Sequence, residues 1–199
     1  MEKLRLLLAT NNPGKVREFR RLLAGAPFVV ETPAEAGIAL EVAETGSSYA
    51  ENAALKARAF ASASGRLALA DDSGIEVDAL DGAPGMYSAR FGGDGLDDAG
   101  RTALLLEKLA GVPMERRGAR YRAVVAVADP DGSVELFEGV QEGRIGFAPR
   151  GERGFGYDPV FIIEDGRVQA EIDDAEKDRI SHRGQAVRAA LAWLLEHRS

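Results

Sequence analysis

Four short clusters hold residues whose types and spacing could do chemistry. Asp71-Asp72 directly follows the apolar run Leu67–Ala70 and precedes Ser73-Gly74. Neighbouring side chains on extended backbone point to opposite faces. One of the two carboxylates can therefore enter a given site, and the other is expected to cap the turn at Ser73-Gly74. A carboxylate at a strand end can hold a divalent cation or serve as a general base, although a plain Asx turn has the same composition. Glu44, in Glu44-Thr45-Gly46, adds a further acid. Thr10, Asn12 and Lys15 sit where an apolar run gives way to a helical pattern. A lysine in a first helical turn opposes the helix dipole and suits a bound anion; a polar loop with a solvated lysine is the alternative. In Gly154-Phe155-Gly156-Tyr157-Asp158-Pro159, an aromatic presented between glycines can stack on a flat base, or it can plug the core beneath the loop. Lys177 and Ser181-His182-Arg183-Gly184 again place cations at a helix start, where their donors suit an anion or a carbonyl-rich ligand.

Several other chemistries are excluded. The chain has no cysteine, which removes thiol nucleophiles, disulfides and thiolate metal sites. Its two histidines, His182 and His197, are too few for a histidine-rich metal centre. Any metal must be held mainly by carboxylates, which favours Mg²⁺, Mn²⁺ or Ca²⁺. Thr10–Lys15 is not a Walker A loop, because Ala9 and Val16 stand where Gly and Ser or Thr are needed. Gly154-Phe155-Gly156 is not a dinucleotide fingerprint, because Pro159 replaces its third glycine.

The elements that must position these clusters alternate between strand and helix. Arg5–Ala9 reads as a strand, followed by a helix with Val16, Phe19, Leu22 and Leu23 on one face. Pro27–Glu31 reads as a second strand. Ser47 or Ser48 is expected to cap an alanine-rich helix over 49–64, with Glu51 as the capping-box acid if Ser48 is the cap and Gly65 at its C-cap. The strand Leu67–Ala70 ends at Asp71, and extended chain resumes at Ile75–Val77. Residues 79–95 read as a long loop. Asp97 or Asp98 opens a helix through Leu104, Leu105 and Leu109. Arg120–Ala128 and Val134–Glu142 read as a hairpin around Asp129-Pro130-Asp131-Gly132, with Arg120 and Arg122 facing solvent. A glycine-rich loop over Gly151–Pro159 leads to a strand at Val160–Ile163. Asp173–Glu176 reads as a solvated helix start, and Ser181 as the cap of the last helix. Without a strict βα repeat, this order predicts an α/β fold with a mixed sheet.

Composition narrows the partners. The 199 residues carry 25 basic and 32 acidic side chains, a net charge of −7. That balance argues against a nucleic-acid binder, which needs a basic face. The opening Met1-Glu2-Lys3-Leu4-Arg5 and the short apolar run after it do not form a signal-peptide core. No apolar stretch approaches the ~20 residues of a membrane span. A cytoplasmic protein without membrane or nucleic-acid partners is expected.

Taken as a set, the clusters resemble one family. The stretches are Ala9-Thr10-Asn11-Asn12-Pro13-Gly14-Lys15, Glu44-Thr45-Gly46, Glu51-Asn52-Ala53-Ala54-Leu55-Lys56-Ala57, Ala70-Asp71-Asp72-Ser73-Gly74, Pro84-Gly85-Met86-Tyr87-Ser88-Ala89-Arg90, Gly154–Pro159 and Ser181–Gly184. In this order and spacing they are similar to the pyrophosphatases of non-canonical purine nucleoside triphosphates, the inosine triphosphate pyrophosphatase or XTP/dITP diphosphatase family. The resemblance implies a single domain over 1–199, an elongated mixed sheet flanked by helices, with two lobes around a central cleft. It also implies a homodimer and hydrolysis of ITP, dITP and XTP to monophosphate and pyrophosphate with Mg²⁺, for which Mn²⁺ could substitute.

By the same resemblance, Asp72 orients or deprotonates the attacking water and shares the metal with Glu44. Thr10, Asn12, Lys15, Lys56 and Ser73 hold the triphosphate, with Asn11, Pro13 and Gly14 in the same loop. Phe155 stacks on the base, beside Gly156 and Tyr157. Lys177, His182, Arg183 and Asp158 read the base edge. Readings from other classes are a catalytically silent nucleotide-binding module and a dimerisation module built on the 79–95 loop.

Overall fold

The computed structural model describes residues 4–93 and 95–198. The opening Met1-Glu2-Lys3 read above lies outside them, as do Asp94 of the 79–95 segment and Ser199. The chain runs β1 (Leu4–Leu8), α1 (Pro13–Leu22), β2 (Phe28–Glu31), α2 (Tyr49–Ser64), β3 (Leu67–Val77) and β4 (Pro84–Gly85). It continues with α3 (Asp98–Lys108), β5 (Gly118–Ala128), β6 (Val134–Ile145), β7 (Phe161–Ile162), α4 (Asp174–Ile180) and α5 (His182–His197). The strands form one seven-stranded sheet in the order β2-β1-β3-β5-β6-β7, with β4 paired to β3. β1 is parallel to both β2 and β3, whereas β4 and β7 run antiparallel to their neighbours. The mixed sheet expected from the sequence is therefore present. Among the described residues no helix is long and apolar enough to cross a membrane.

Two compact units divide the chain. The first comprises Met1–Asp72, Ala123–Gly139 and Arg183–Ser199. Its core sets Leu6 and Leu8 of β1, Leu67 and Leu69 of β3, and Val125 and Val127 of β5 against Phe19 and Leu23 of the α1 region. Ala186, Val187, Ala190 and Leu194 of α5 complete it. The i, i+2 spacing of these strand residues puts them on one sheet face, and the 3–4 spacing of the α5 residues makes a single helical stripe. Each fully buried Leu or Phe here stabilises the fold by roughly 1.5–3 kcal/mol.

The second unit comprises Ser73–Arg122 and Val140–His182. Its core joins Ile75 and Val77 of β3, Leu105 and Leu109 of the α3 region, Ala119 and Tyr121 of β5, Ile145 of β6, and Tyr157, Val160, Phe161, Ile163 and Ile172. Arg120 and Arg122 are half-buried rather than free in solvent. Arg120 pairs with Asp78 at 3.0 Å and Glu142 at 3.1 Å, and Arg122 with Glu76 at 3.2 Å.

Three local expectations change. β3 does not stop at Ala70 but continues through Asp71-Asp72-Ser73-Gly74 to Val77. The Ile75 N–H donates to the Ser88 hydroxyl at 2.9 Å and Ile75 pairs with Gly85 of β4, so the strand has partners where the composition predicted a turn. The 79–95 segment is not structureless. It carries β4 and single 3₁₀ turns at Asp78–Leu80 and Ser88–Arg90. Ser181 lies in extended backbone directly before α5, where the last helix was expected to begin, and it also closes α4. Ser48 caps α2 by accepting from the Glu51 N–H at 3.2 Å, but the Glu51 carboxylate reaches one residue further back, to the Ser47 N–H at 2.7 Å.

Candidate active site

In the first unit the predicted loop and strand residues converge. Asn12 caps α1, its side-chain oxygen accepting from the Gly14 and Lys15 N–H groups at 2.9 and 3.1 Å. Pro13 occupies the first helical position, where its missing N–H costs nothing. The Thr10 hydroxyl accepts the Asn12 N–H at 3.2 Å. This shapes the turn so that the Lys15 side chain reaches Asp71, with Nζ 3.0 Å from its carboxylate. Asn11, Asn12 and Pro13 are exposed, Thr10 and Lys15 half-buried, and Gly14 buried.

Asp71 and Asp72 are both buried, at 2% and 4% exposure. Asp71 does not cap a turn, as the sequence reading expected. It receives Lys15 and the Arg183 guanidinium at 3.1 Å, and Arg183 also donates to Glu18 at 2.5 Å. Burial pushes the Asp71 carboxyl up, but Lys15, Arg183 and Lys56 outweigh it and hold it well below the usual carboxylate range. Asp72 faces a different set. Asn52 donates to it at 3.2 Å and Lys56 lies 3.4 Å away. Burial is the largest influence on Asp72, and with the nearby Glu44 it leaves the carboxyl above its ordinary value despite Lys56 and Lys15.

Lys56 also bonds Glu44 at 2.7 Å, so the carboxylates of Glu44 and Asp72 converge on one ammonium. Burial pulls the Lys56 amine down, but Asp72, Asp71 and Glu44 keep it above its usual range and charged. Among the described residues no group of three or more His, Asp or Glu forms a metal cage. The donor set nevertheless fits a hard cation. Mg²⁺ is commonly held by one or two carboxylates completed by substrate phosphates, and Glu44 and Asp72 already share one positive charge. Asn52, only 1% exposed, ties the two acids' segments together by accepting the Gly46 N–H at 2.8 Å while donating to Asp72. Ser73 follows on the same strand, half-buried.

In the second unit the glycine-rich loop, α4 and the start of α5 meet around Asp158. Its carboxylate accepts from the Lys177 ammonium at 2.5 Å, the Phe155 N–H at 2.9 Å and the Tyr121 hydroxyl at 3.2 Å. A Cβ on Gly154 would stand 2.0 Å from the Asp158 Oδ2, so only glycine leaves room for this carboxylate. The half-buried Phe155 ring has the Lys177 ammonium over its face, 5.0 Å from the centroid. The buried His182 ring stacks on Tyr121 at 4.6 Å and 7°. Tyr157 turns into the core, its hydroxyl donating to the Ser88 carbonyl at 2.8 Å. Burial pushes that hydroxyl above its ordinary pKa.

The structure therefore gathers Phe155, Gly156, Asp158, Lys177 and His182, and sets Arg183 with Asp71 and Glu18 in the first unit. The sequence reading missed Asn52, Glu18 and Tyr121. The signal for Asn52 was an amide among the alanines of a close-packing helix face.

These two clusters define a class of protein. It is an α/β protein with paired carboxylates and lysines suited to a phosphate chain and a hard cation, and with an aromatic–lysine platform suited to a flat heterocycle. Residues 6–193 match the Ham1 family, and the chain belongs to that family. A protein of Symbiobacterium thermophilum named dITP/XTP pyrophosphatase is 53% identical over 195 residues, covering 98% of this chain and 96% of its own. A dITP/XTP pyrophosphatase of Exiguobacterium sibiricum is 48% identical over 192 residues, covering 96% of this chain and 97% of its own. The solved structure of a HAM1 protein from Coxiella burnetii superposes with a TM-score of 0.88 at 39% identity, covering 97% of this chain and 99% of that one.

Proposed function

We propose that this protein hydrolyses ITP, dITP and XTP to the monophosphate and pyrophosphate, with water attacking the α-phosphorus. The observation that carries this reading is Asp72. It is a buried carboxylate with a raised pKa, positioned by Asn52 and sharing Lys56 with Glu44.

Asp72 orients the water and accepts its proton. Lys15 and Lys56, with Thr10, Asn12 and Ser73, hold the triphosphate. Glu44 and Asp72 would hold Mg²⁺, with Mn²⁺ as a substitute. When bound, the ion supplies positive charge to the phosphate oxygens as pyrophosphate leaves. Phe155 carries the base, and Lys177, His182, Arg183 and Asp158 recognise its edge. Hypoxanthine and xanthine present a carbonyl at position 6, which Lys and Arg can meet because they only donate. Adenine presents an amino group there, so donor faces donor and the site's own polar groups lose their partner. Under this reading residues 1–199 work as one pyrophosphatase domain in a cytoplasmic homodimer that clears deaminated purines.

Ion-exchange analysis of products tests the proposal. The protein is incubated with ITP, XTP, GTP or ATP, with Mg²⁺ or a chelator. Monophosphate and pyrophosphate from ITP and XTP, little from ATP or GTP, and none with chelator are expected. Diphosphate with inorganic phosphate would place attack at the wrong phosphorus and overturn the mechanism. Binding of ITP without turnover would favour a silent nucleotide-binding module.

A further inference from the structure

Phe155 lies between Gly154 and Gly156, both in left-handed backbone at φ 78° and 63°. Such a tripeptide has little intrinsic stiffness, yet the main-chain polar groups of Phe155 and Gly156 all have partners. Asp158 serves Phe155. Its carboxylate accepts the Phe155 N–H at 2.9 Å, and its own N–H donates to the Phe155 carbonyl at 3.3 Å. α3 serves Gly156. The Asp98 Oδ2 accepts the Gly156 N–H at 2.8 Å, and the Thr102 hydroxyl donates to the Gly156 carbonyl at 3.3 Å.

Asp98 and Thr102 are four residues apart on α3 and so share one face of the helix. Thr102 is 4% exposed. The second oxygen of Asp98 receives the Arg101 guanidinium at 2.9 Å, and Arg101 also donates to the Leu96 carbonyl. That pairing fixes the carboxylate so that its other oxygen addresses Gly156. Asp97, next in the chain, has the separate task of capping α3 through the Gly100 N–H.

We propose that Asp98 and Thr102 are positioning residues for Phe155. They clamp Gly156 at both polar ends and so set the ring plane on which the purine stacks. The inference rests on the assignment of Phe155 as the base platform made above. Both residues act through the loop and not on the reacting phosphate, so their removal should be felt in KM for ITP more than in kcat.

Steady-state kinetics of Asp98→Ala, Asp98→Asn, Thr102→Val, Phe155→Ala and the Asp98→Ala/Phe155→Ala double variant decide the matter. Losing one of these hydrogen bonds should raise KM for ITP about 3- to 10-fold with kcat near the parental value. Asp98→Asn, which keeps an acceptor oxygen, should stay close to the parent. In the Phe155→Ala background, Asp98→Ala should add nothing, because there is no ring left to orient. An unchanged KM in both Asp98→Ala and Thr102→Val would overturn the clamp, as would a full Asp98→Ala effect in the double variant. If Phe155→Ala itself leaves KM unaltered, the base-platform reading fails first and takes the clamp with it. A lowered melting temperature with unchanged KM would assign α3 a purely structural role and overturn the proposal.

Discussion

Asp71 and Asp72 are neighbours on one strand, and their carboxylates have separate partners. Asp71 is locked between Lys15 and Arg183, whereas Asp72 meets Asn52 and the Lys56 that it shares with Glu44. Strand geometry alone sends the two side chains to opposite faces. The result is two neighbouring acids shifted in opposite directions, Asp71 held below and Asp72 lifted above the ordinary carboxylate range.

Isosteric substitutions should separate the two roles. Asp72→Asn should cut kcat for ITP by on the order of 10²–10⁴, with binding retained. Asp71→Asn strips a buried partner from Lys15 and Arg183, and should cost about 3–5 kcal/mol of stability. Activity assays and urea denaturation of both variants, run side by side, check the split. A stable, slow Asp71→Asn would reverse the assignment.

Asn52 bridges the Gly46 N–H and Asp72. Asn52→Ala leaves both without that partner, which should cost about 1–3 kcal/mol and lower kcat. Thermal melts and ITP turnover read the two effects. Asn52→Asp would place a third acid beside Asp72 and Glu44, and should raise the pH at which activity begins.

Gly154→Ala tests the room left for Asp158. The added methyl would lie 2.0 Å from its carboxylate, in backbone at φ 78°. Besides about 1–2 kcal/mol of stability lost to left-handed strain, the variant should show weaker ITP binding, because the loop or the carboxylate must move to admit the methyl. Equilibrium binding of ITP measures it, and parental affinity would show that Asp158 does not organise this loop.

Glu35 offers a pH prediction away from the site. Hydrogen bonds from Arg20 and from the Thr32 N–H and hydroxyl lower its carboxyl from 4.5 to about 2. A depressed acid contributes stability above its unfolded pKa and loses it as pH falls through the folded one. Glu35→Gln should therefore be less stable than the parent at neutral pH. The gap should narrow as pH falls below about 5 and close only as it passes about 2, which denaturant melts at stepped pH would follow. A gap independent of pH would mean that the ionised carboxylate contributes nothing.

Much of the site was legible because its residues lie in short, locally unusual stretches. Lys15 stands in a first helical turn, Asp71-Asp72 ends an apolar run, and Phe155 lies between glycines. What could not be read was their company. Arg183 reaches Asp71 from 112 residues away. Glu18, Asn52 and Thr102 look like ordinary polar helix positions until packing buries them. The strand–helix order was equally legible where periodicity was strong, as in α1, α2, β5 and β6. It failed at Asp71–Gly74, where turn composition was overridden by β4 and Ser88.

The two end strands of the sheet are both short. β2 has four residues and β7 two, and at the β2 edge Glu31 is occupied by Arg5 and Arg66. An open edge invites the strands of other chains, and short, charged edges blunt that invitation. The order of the sheet thus leaves little open edge at either end on which a strand of another chain could pair.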